Sequence, residues 1–145
     1  MLSYQHLYHA GNMADVHKHS LLVWMLQYLT QKEKPISYIE THAGRALYDL
    51  NSDEAIKTGE ATEGINRVLA ANWFSGAHPY LQFLTKIRAQ HDPHSYPGSP
   101  LLTAEILRAT DKLHLAELHP QEATALEYAM SPYQARCYAQ ESLRL

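Results

Sequence analysis

The residues best placed to do chemistry begin with Glu40-Thr41-His42-Ala43-Gly44, which follows the short apolar run 35–39. Gly44 lets the backbone turn sharply and approach a ligand closely. In open α/β sheets, ligands lie at the carboxyl ends of the strands, beside such turns. The stretch is therefore either a cofactor-binding turn, with His42 facing the ligand, or an ordinary strand-to-helix turn with an exposed histidine.

The residues after Gly44 narrow the class of cofactor. Arg45 and Ala46 stand where a dinucleotide-binding fingerprint has its second glycine. That glycine lets the backbone approach a pyrophosphate, so its loss disfavours a dinucleotide. S-adenosylmethionine has no pyrophosphate and tolerates the change better.

Two more residues are candidates for the same site. Glu117 ends a second predicted strand, where a carboxylate can accept hydrogen bonds from ribose hydroxyls; the alternative is a surface carboxylate. Ser99 lies in the segment 96–100, Tyr-Pro-Gly-Ser-Pro, which has the composition of a strong turn. Ser99 is placed to cap the helix that Pro100 opens, and a helix N-terminus can also present donors to a ligand.

The N-terminal segment is rich in histidine, since five of the ten histidines lie in the first 42 residues. A metal site is disfavoured because no dense cluster of Asp, Glu or Cys accompanies them, and because His17 and His19 point to different faces of a helix. A tyrosine near a basic residue, such as Tyr4 with Lys18, suits base stacking plus a phosphate contact with RNA. The alternative for Tyr4 is a loosely held terminal aromatic.

These residues need a framework, and the hydrophobic pattern predicts a parallel α/β sheet. A helix capped by Asn12 is expected to reach residue 29, and its apolar C-terminal half is expected to be buried. The other expected elements are a strand at 36–39, a helical insertion at 49–97, a helix at 100–108, a strand at 113–118, a helix at 120–130 and a third strand at 133–138. This order resembles the front half of a doubly wound sheet.

Composition sets broader limits. With 145 residues, 46% hydrophobic and 19% charged, the chain can build one globular domain. The net charge of -3 gives no general basic field for nucleic acid, although a local patch would suffice. Cys137 is the single cysteine, which predicts a reducing cytoplasm. The first twenty residues do not read as a signal peptide, and the longest apolar run, 21–29, is too short to span a membrane.

Four segments in this order resemble the bacterial 23S rRNA adenine-N6 methyltransferase J family (RlmJ), which is also described as involved in catabolism of external DNA. They are residues 1–19, Thr-His-Ala-Gly at 41–44, Tyr-Pro-Gly-Ser-Pro at 96–100 and Glu-Leu-His-Pro at 117–120. The resemblance runs to about Arg136 and covers the N-terminal half of the family. It implies a Rossmann-like S-adenosylmethionine-dependent methyltransferase, of which residues 1–145 form the N-terminal part and 49–97 a helical subdomain. A cytoplasmic monomer that acts on 23S rRNA, without metal or membrane, is expected.

The resemblance also assigns roles to individual residues. Positions that bind the cofactor match His19, His42, Ser99, Glu117 and Glu141, the last standing where the family has the first residue of an Asp-Gly pair. Tyr4 matches a position that contacts the RNA. His6 and Lys18 match positions that are important for activity.

Two departures from the family pattern matter. Ala46 replaces a glycine, and the family's Asp-Pro-Pro-Tyr motif, which holds the adenine amine for attack on the methyl group, is absent from these 145 residues. Positioning is most of the catalysis in such a transfer. We therefore expect little or no activity from this chain alone.

Three other hypotheses stay open on the sequence. One is a nucleic-acid-binding protein linked to use of external DNA, without catalysis. Another is a histidine-rich metal hydrolase. The third is a truncated remnant whose unpaired edge strand and uncovered apolar surface reduce its solubility.

Overall fold

A three-stranded parallel sheet organises the chain in the computed structural model, which describes residues 4–139. The five strands are β1 (Ser37–Glu40), β2 (Leu47–Asp49), β3 (Ser95–Pro97), β4 (Lys112–Ala116) and β5 (Ala135–Tyr138). The parallel sheet has the order β1-β4-β5. The predicted mixed α/β class with three parallel strands is therefore confirmed, with strand ends displaced by one or two residues.

Helices of very different length connect the strands. They are α1 (Met13–Leu29), α2 (Asp53–Thr58), α3 (Glu60–Glu63), α4 (Ile65–Ala70), α5 (Pro79–Gln90), α6 (Ser99–Ile106) and α7 (Pro120–Met130), preceded by a 3-10 turn (His6–Tyr8). Helix α1 packs against α5 and α6, and α7 packs against β5 and α6. Within residues 4–139, no helix has both the length and the apolar character that a bilayer crossing requires.

The two longest predicted helices begin where their local signals indicate. The Asn12 side chain accepts a hydrogen bond of 2.9 Å from the backbone N–H of Asp15, which caps α1 as expected. Pro120 opens α7, which ends at Met130 as predicted. Proline is favoured at the first helical position because its missing N–H has no partner there.

Strands β2 and β3 form a separate two-stranded antiparallel ribbon, and helices α2 to α5 lie between them in the sequence. Leu47 pairs with Pro97 and Asp49 with Ser95. The prediction of a simple turn at 96–100 is wrong at its first two residues, because Tyr96 is completely buried in β3. The partner strand is nearly fifty residues away, so local turn composition could not reveal this pairing.

The core lies between α1, α5, α6 and the sheet. Its largest fully buried side chains include Tyr80, Tyr96, Leu26, Ile65, Leu101 and Leu115. The prediction that the C-terminal half of α1 is buried all round is wrong. Trp24 is 61% exposed and Tyr28 58% exposed, because α1 packs on its neighbours through the face that carries Val23 and Leu26.

Candidate functional site

A cavity of about 500 Å³ opens beside the carboxyl ends of β1 and β4. Its wall consists of Tyr4 and His6, then Asp15, Lys18 and His19 of α1, residues 41–44, Tyr48, Gly98, Ser99, residues 117–119 and Glu122. Parallel strands β1 and β4 end at one edge of the sheet, so the loops that follow them are neighbours. The cavity is therefore a consequence of the topology.

Four of the predicted cofactor-binding residues line this one cavity, namely His19, His42, Ser99 and Glu117. They come from α1, the turn after β1, the start of α6 and the loop after β4, so the fold brings together residues as much as 98 positions apart. Glu141 lies outside the described residues. The roles assigned to these residues remain predictions, but their convergence is a property of the structure.

The turn after β1 is tightly built. Gly44 has a φ of +70°, in the left-handed region that favours glycine, and a Cβ atom there would lie 2.3 Å from the hydroxyl of Tyr48. The backbone N–H of Ala43 donates to the carbonyl of Ala116 at 2.9 Å. This hydrogen bond holds the turn against the end of β4.

Glu117 is held from both sides. Its Oε2 accepts from the backbone N–H of Gly44 at 2.8 Å, and its Oε1 accepts from the backbone N–H of His119 at 2.9 Å. A carboxylate oxygen can accept more than one hydrogen bond. The carboxylate is thus oriented at the cavity wall and retains acceptor capacity for a ligand.

Ser99 does not cap α6, contrary to the prediction. Gly98 occupies the N-cap position, and the Ser99 hydroxyl donates instead to Oε1 of Glu40 at the end of β1. Burial raises the pKa of Glu40 to about 7, against the opposing effect of the Ser99 hydrogen bond, while its Oε2 is buried with no partner among the described residues. Ser99, which lines the cavity, is therefore hydrogen-bonded to a carboxyl group whose pKa lies near neutrality.

The N-terminal segment is anchored to α1 by a chain of polar contacts. The hydroxyl of Tyr4 lies 2.7 Å from Nδ1 of His6, and Nε2 of His6 lies 2.6 Å from Oδ2 of Asp15. The same Asp15 oxygen accepts from the backbone N–H of Gly11 at 3.0 Å, and Nζ of Lys18 is 3.6 Å from Oδ1. His6 and Lys18 thus share one buried carboxylate, and Tyr4 is linked to it through His6.

Asp15 was not among the predicted site residues, because its sequence position explains it fully as a first-turn acid of α1. Burial by itself would raise its pKa, but the hydrogen bonds from His6 and from the backbone N–H of Gly11 hold the pKa below its ordinary value. The carboxylate is therefore ionised at neutral pH. The one available signal was the histidine-rich segment that precedes it.

A second unpredicted contact braces the opposite wall. Nε of Arg45 donates to Oε2 of Glu122 at 2.9 Å, and Nη2 of Arg45 donates to Oε1 of Glu122 at 2.5 Å. This bidentate pair ties the turn after β1 to α7. Glu122 is almost completely buried, and nothing in the sequence separated it from other helical glutamates.

The histidines of the described region do not assemble a metal centre. Within residues 4–139, no group of three or more His, Cys, Asp or Glu side chains is arranged to hold an ion. His17 is exposed, whereas His19 is buried and directed to the cavity. The arrangement offers oriented donors and acceptors around a space large enough for a nucleoside.

Comparison with known proteins gives consistent results. Residues 33–142 match the family described as "Ribosomal RNA large subunit methyltransferase D, RlmJ". Two curated proteins named ribosomal RNA large subunit methyltransferase J are similar: that of Escherichia coli (strain K12) is 41% identical over 127 residues, and that of Haemophilus influenzae is 43% identical over 128 residues. Each match covers 84% of this chain and 44% of the relative, so the chain spans less than half the length of these relatives.

A solved structure extends the similarity to three dimensions. The crystal structure of protein LPL1258 from Legionella pneumophila matches this fold with a TM-score of 0.76 and 36% sequence identity. The match covers 91% of this chain and 49% of that chain. The architecture described above therefore recurs within a longer polypeptide.

Proposed function

Because this chain belongs to the ribosomal RNA large subunit methyltransferase J family, we propose that it forms the cofactor-binding part of an enzyme that uses S-adenosylmethionine to methylate N6 of an adenine in 23S rRNA. The observation that carries this proposal is the convergence of His19, His42, Ser99 and Glu117 on one cavity. In the proposed enzyme, residues 1–145 belong to one Rossmann-like domain of a cytoplasmic monomer, with 49–97 as a helical subdomain.

The cavity fits a nucleoside cofactor in size and in chemistry. Its volume of about 500 Å³ lies in the range typical of small-molecule sites. Glu117 supplies a fixed carboxylate suited to ribose hydroxyls. The tight turn at Gly44 is not followed by the second glycine that a pyrophosphate site needs. S-adenosylmethionine supplies an electrophilic methyl group when bound, while these residues orient the nucleoside, and Glu141 is proposed to contribute beyond the described region.

The N-terminal segment is proposed to contact the RNA substrate. Tyr4 is 66% exposed at the cavity mouth, where its ring can stack on an unpaired base. The side chain of Lys18 is also largely exposed, and Asp15 holds its ammonium group at the cavity, where it can contact a phosphate. His6 joins Tyr4 to Asp15 and so orients the stacking residue.

The proposed test separates binding from turnover. The isolated chain is titrated with S-adenosylhomocysteine while backbone amide NMR shifts are recorded, and we expect changes at His19, His42, Ser99 and Glu117. A matched assay follows methyl transfer to unmodified 23S rRNA, where we expect little or no product because the Asp-Pro-Pro-Tyr motif is absent from these residues.

The outcomes discriminate between the hypotheses. Shift changes at the cavity residues support the cofactor role. No response at millimolar S-adenosylhomocysteine, combined with tight RNA or DNA binding, would favour a non-catalytic nucleic-acid-binding protein. Rapid methylation by the isolated chain would contradict the proposal that the activity needs further residues.

A further inference from the structure

A buried chain of hydrogen bonds runs from the cavity into the helical region. Nδ1 of His19 lies 2.9 Å from the hydroxyl of Tyr96, and this hydroxyl lies 2.8 Å from the hydroxyl of Tyr80. The three residues belong to α1, β3 and α5. His19 is 5% exposed and both tyrosines are completely buried, so water does not compete for these bonds.

The direction of donation follows from Tyr80, the last residue in this series of hydrogen bonds. Among residues 4–139, the Tyr80 hydroxyl has no other hydrogen-bond partner than Tyr96. If Tyr96 donated to Tyr80, the Tyr80 proton would be buried without an acceptor, which is costly for a hydroxyl. Tyr80 therefore donates to Tyr96, and the proton of Tyr96 is left to donate to Nδ1 of His19.

An imidazole that accepts at Nδ1 must carry its proton on Nε2 when it is neutral. Burial lowers the pKa of His19 to about 4, so the ring is neutral at physiological pH. Nε2 makes no hydrogen bond within the described part of the chain, but it is not fully buried. Since His19 lines the cavity, Nε2 is the nitrogen available to a ligand.

We propose that Tyr96 and Tyr80 are positioning residues that hold His19 as the Nε2–H tautomer, ready to donate one hydrogen bond to an acceptor oxygen of the cavity ligand. A fixed neutral N–H donor suits an acceptor oxygen, such as that of a carboxylate. The identity of that ligand as the amino-acid end of the cofactor rests on the proposed function, whereas the tautomer does not. These hydrogen bonds also link the cavity to α5, because Tyr80 belongs to that helix.

The test is the tautomeric state of His19 in the intact chain. Histidine ring nitrogens labelled with ¹⁵N are observed at pH 7 by long-range proton–nitrogen correlation, and the His19 signals are assigned by their loss in His19→Gln. We expect Nε2 to have the shift of a protonated nitrogen and Nδ1 that of a hydrogen-bonded acceptor. A protonated Nδ1 would overturn the proposal, because His19 would then donate to Tyr96.

The variant Tyr96→Phe gives the second readout. Removal of its hydroxyl is expected to move the His19 Nδ1 shift towards that of an unbonded acceptor and to weaken S-adenosylhomocysteine binding roughly three- to tenfold. The matched control is Tyr133→Phe, whose hydroxyl donates to Glu105 away from the cavity. An unchanged Nδ1 shift in Tyr96→Phe, or conversion from protonated Nδ1 to protonated Nε2, would contradict the proposed polarity.

The two readouts separate this proposal from the proposed function. An Nε2–H tautomer in a chain that fails to bind S-adenosylhomocysteine would support the positioning role and refute that ligand. Binding of S-adenosylhomocysteine by a chain with protonated Nδ1 would support the cofactor site and refute the positioning role of Tyr96 and Tyr80.

Discussion

The backbone N–H of Gly44 donates to the Glu117 carboxylate across 2.8 Å, which joins the turn after β1 to the residue that follows β4. The contact spans 73 positions in the chain. Together with the bond from His119, it fixes both carboxylate oxygens before a ligand binds. Fixed acceptors lose little conformational freedom on binding, so the pair is preorganised for hydroxyl donors.

Replacement of Glu117 with glutamine tests this arrangement. In Glu117→Gln, one of the two backbone donors faces an amide NH2 group, and the negative charge is lost. Hydrogen bonds to charged groups contribute about 1.5–3 kcal/mol, so we expect S-adenosylhomocysteine binding to weaken at least about tenfold. NMR titration measures the change.

The control for this measurement is Glu127→Gln, an exposed glutamate on α7 outside the cavity wall. Its affinity should match that of the wild type. If Glu117→Gln binds as tightly as this control, the carboxylate does not contact the ligand.

Ala46 should gain stability when replaced with glycine. It has a φ of +72° and no exposed surface, and the left-handed conformation is unfavourable for a residue with a Cβ atom. Glycine removes this strain but increases the entropy of the unfolded chain. We expect Ala46→Gly to raise the free energy of unfolding by up to about 1 kcal/mol in urea denaturation.

An alanine in ordinary helical conformation provides the comparison. Ala89 is exposed in α5, and Ala89→Gly should lower the free energy of unfolding by about 0.5–1 kcal/mol. If Ala46→Gly lost as much stability as Ala89→Gly, relief of strain at Ala46 would not outweigh the costs of glycine.

Glu40 should make stability depend on pH. Its pKa is raised by burial from 4.5 to about 7, so between these values the folded chain binds a proton that the unfolded chain releases. Stability from this group therefore falls as pH rises through that window. His19 acts in the opposite direction, because its pKa falls from 6.5 to about 4 and its contribution grows as pH rises between those values.

The two effects oppose each other in the wild type, so the informative quantity is a difference between variants. Glutamine stays uncharged, and we expect Glu40→Gln to gain roughly 1–3 kcal/mol relative to wild type as pH rises from 5 to 8. Urea unfolding at each pH measures it, with exposed Glu33→Gln as control. A difference that stays constant with pH would mean that Glu40 is ionised in the fold throughout.

The sequence predicted those parts of the fold that depend on local chemistry. Asn12 caps α1 and Pro120 opens α7 because each acts on its own first turn. The ribbon of β2 and β3, the His6–Asp15 contact and the Ser99–Glu40 contact join segments that a linear pattern does not relate. Convergence at the cavity could be expected only because parallel strands end at one edge of a sheet.

The exposed face of α1 illustrates another limit of pattern reading, and it can be tested. An apolar helix predicts burial but does not identify which face has a neighbour. Trp24 is 61% and Tyr28 58% exposed, whereas Leu26 is 1% exposed. We expect Trp24→Gln and Tyr28→Gln each to change the free energy of unfolding by less than about 1 kcal/mol.

Leu26→Ala on the same helix is the matched comparison and should cost about 2–5 kcal/mol. The double variant of Trp24 and Tyr28 is also expected to remain soluble at higher concentration, because exposed apolar patches promote association. Equal losses from Trp24→Gln and Leu26→Ala would show that the outer face of α1 is covered in solution.

Lys18 should contribute to RNA binding through charge alone. Its side chain is 64% exposed at the cavity, and its Nζ lies 3.6 Å from Asp15, which holds the ammonium group near the mouth. A single phosphate contact contributes about one unit to the slope of log K against log salt concentration. We therefore expect Lys18→Gln to weaken binding of an unmodified 23S rRNA fragment several-fold and to reduce this slope by about one.

The control is Lys112→Gln, an exposed lysine at the opposite end of β4 from the cavity. Its salt slope should equal that of the wild type, since no phosphate contact is proposed there. Fluorescence anisotropy at several salt concentrations gives both slopes. The RNA-facing role of the cavity mouth would be refuted if the two variants lost the same affinity, because a general charge effect would then account for both.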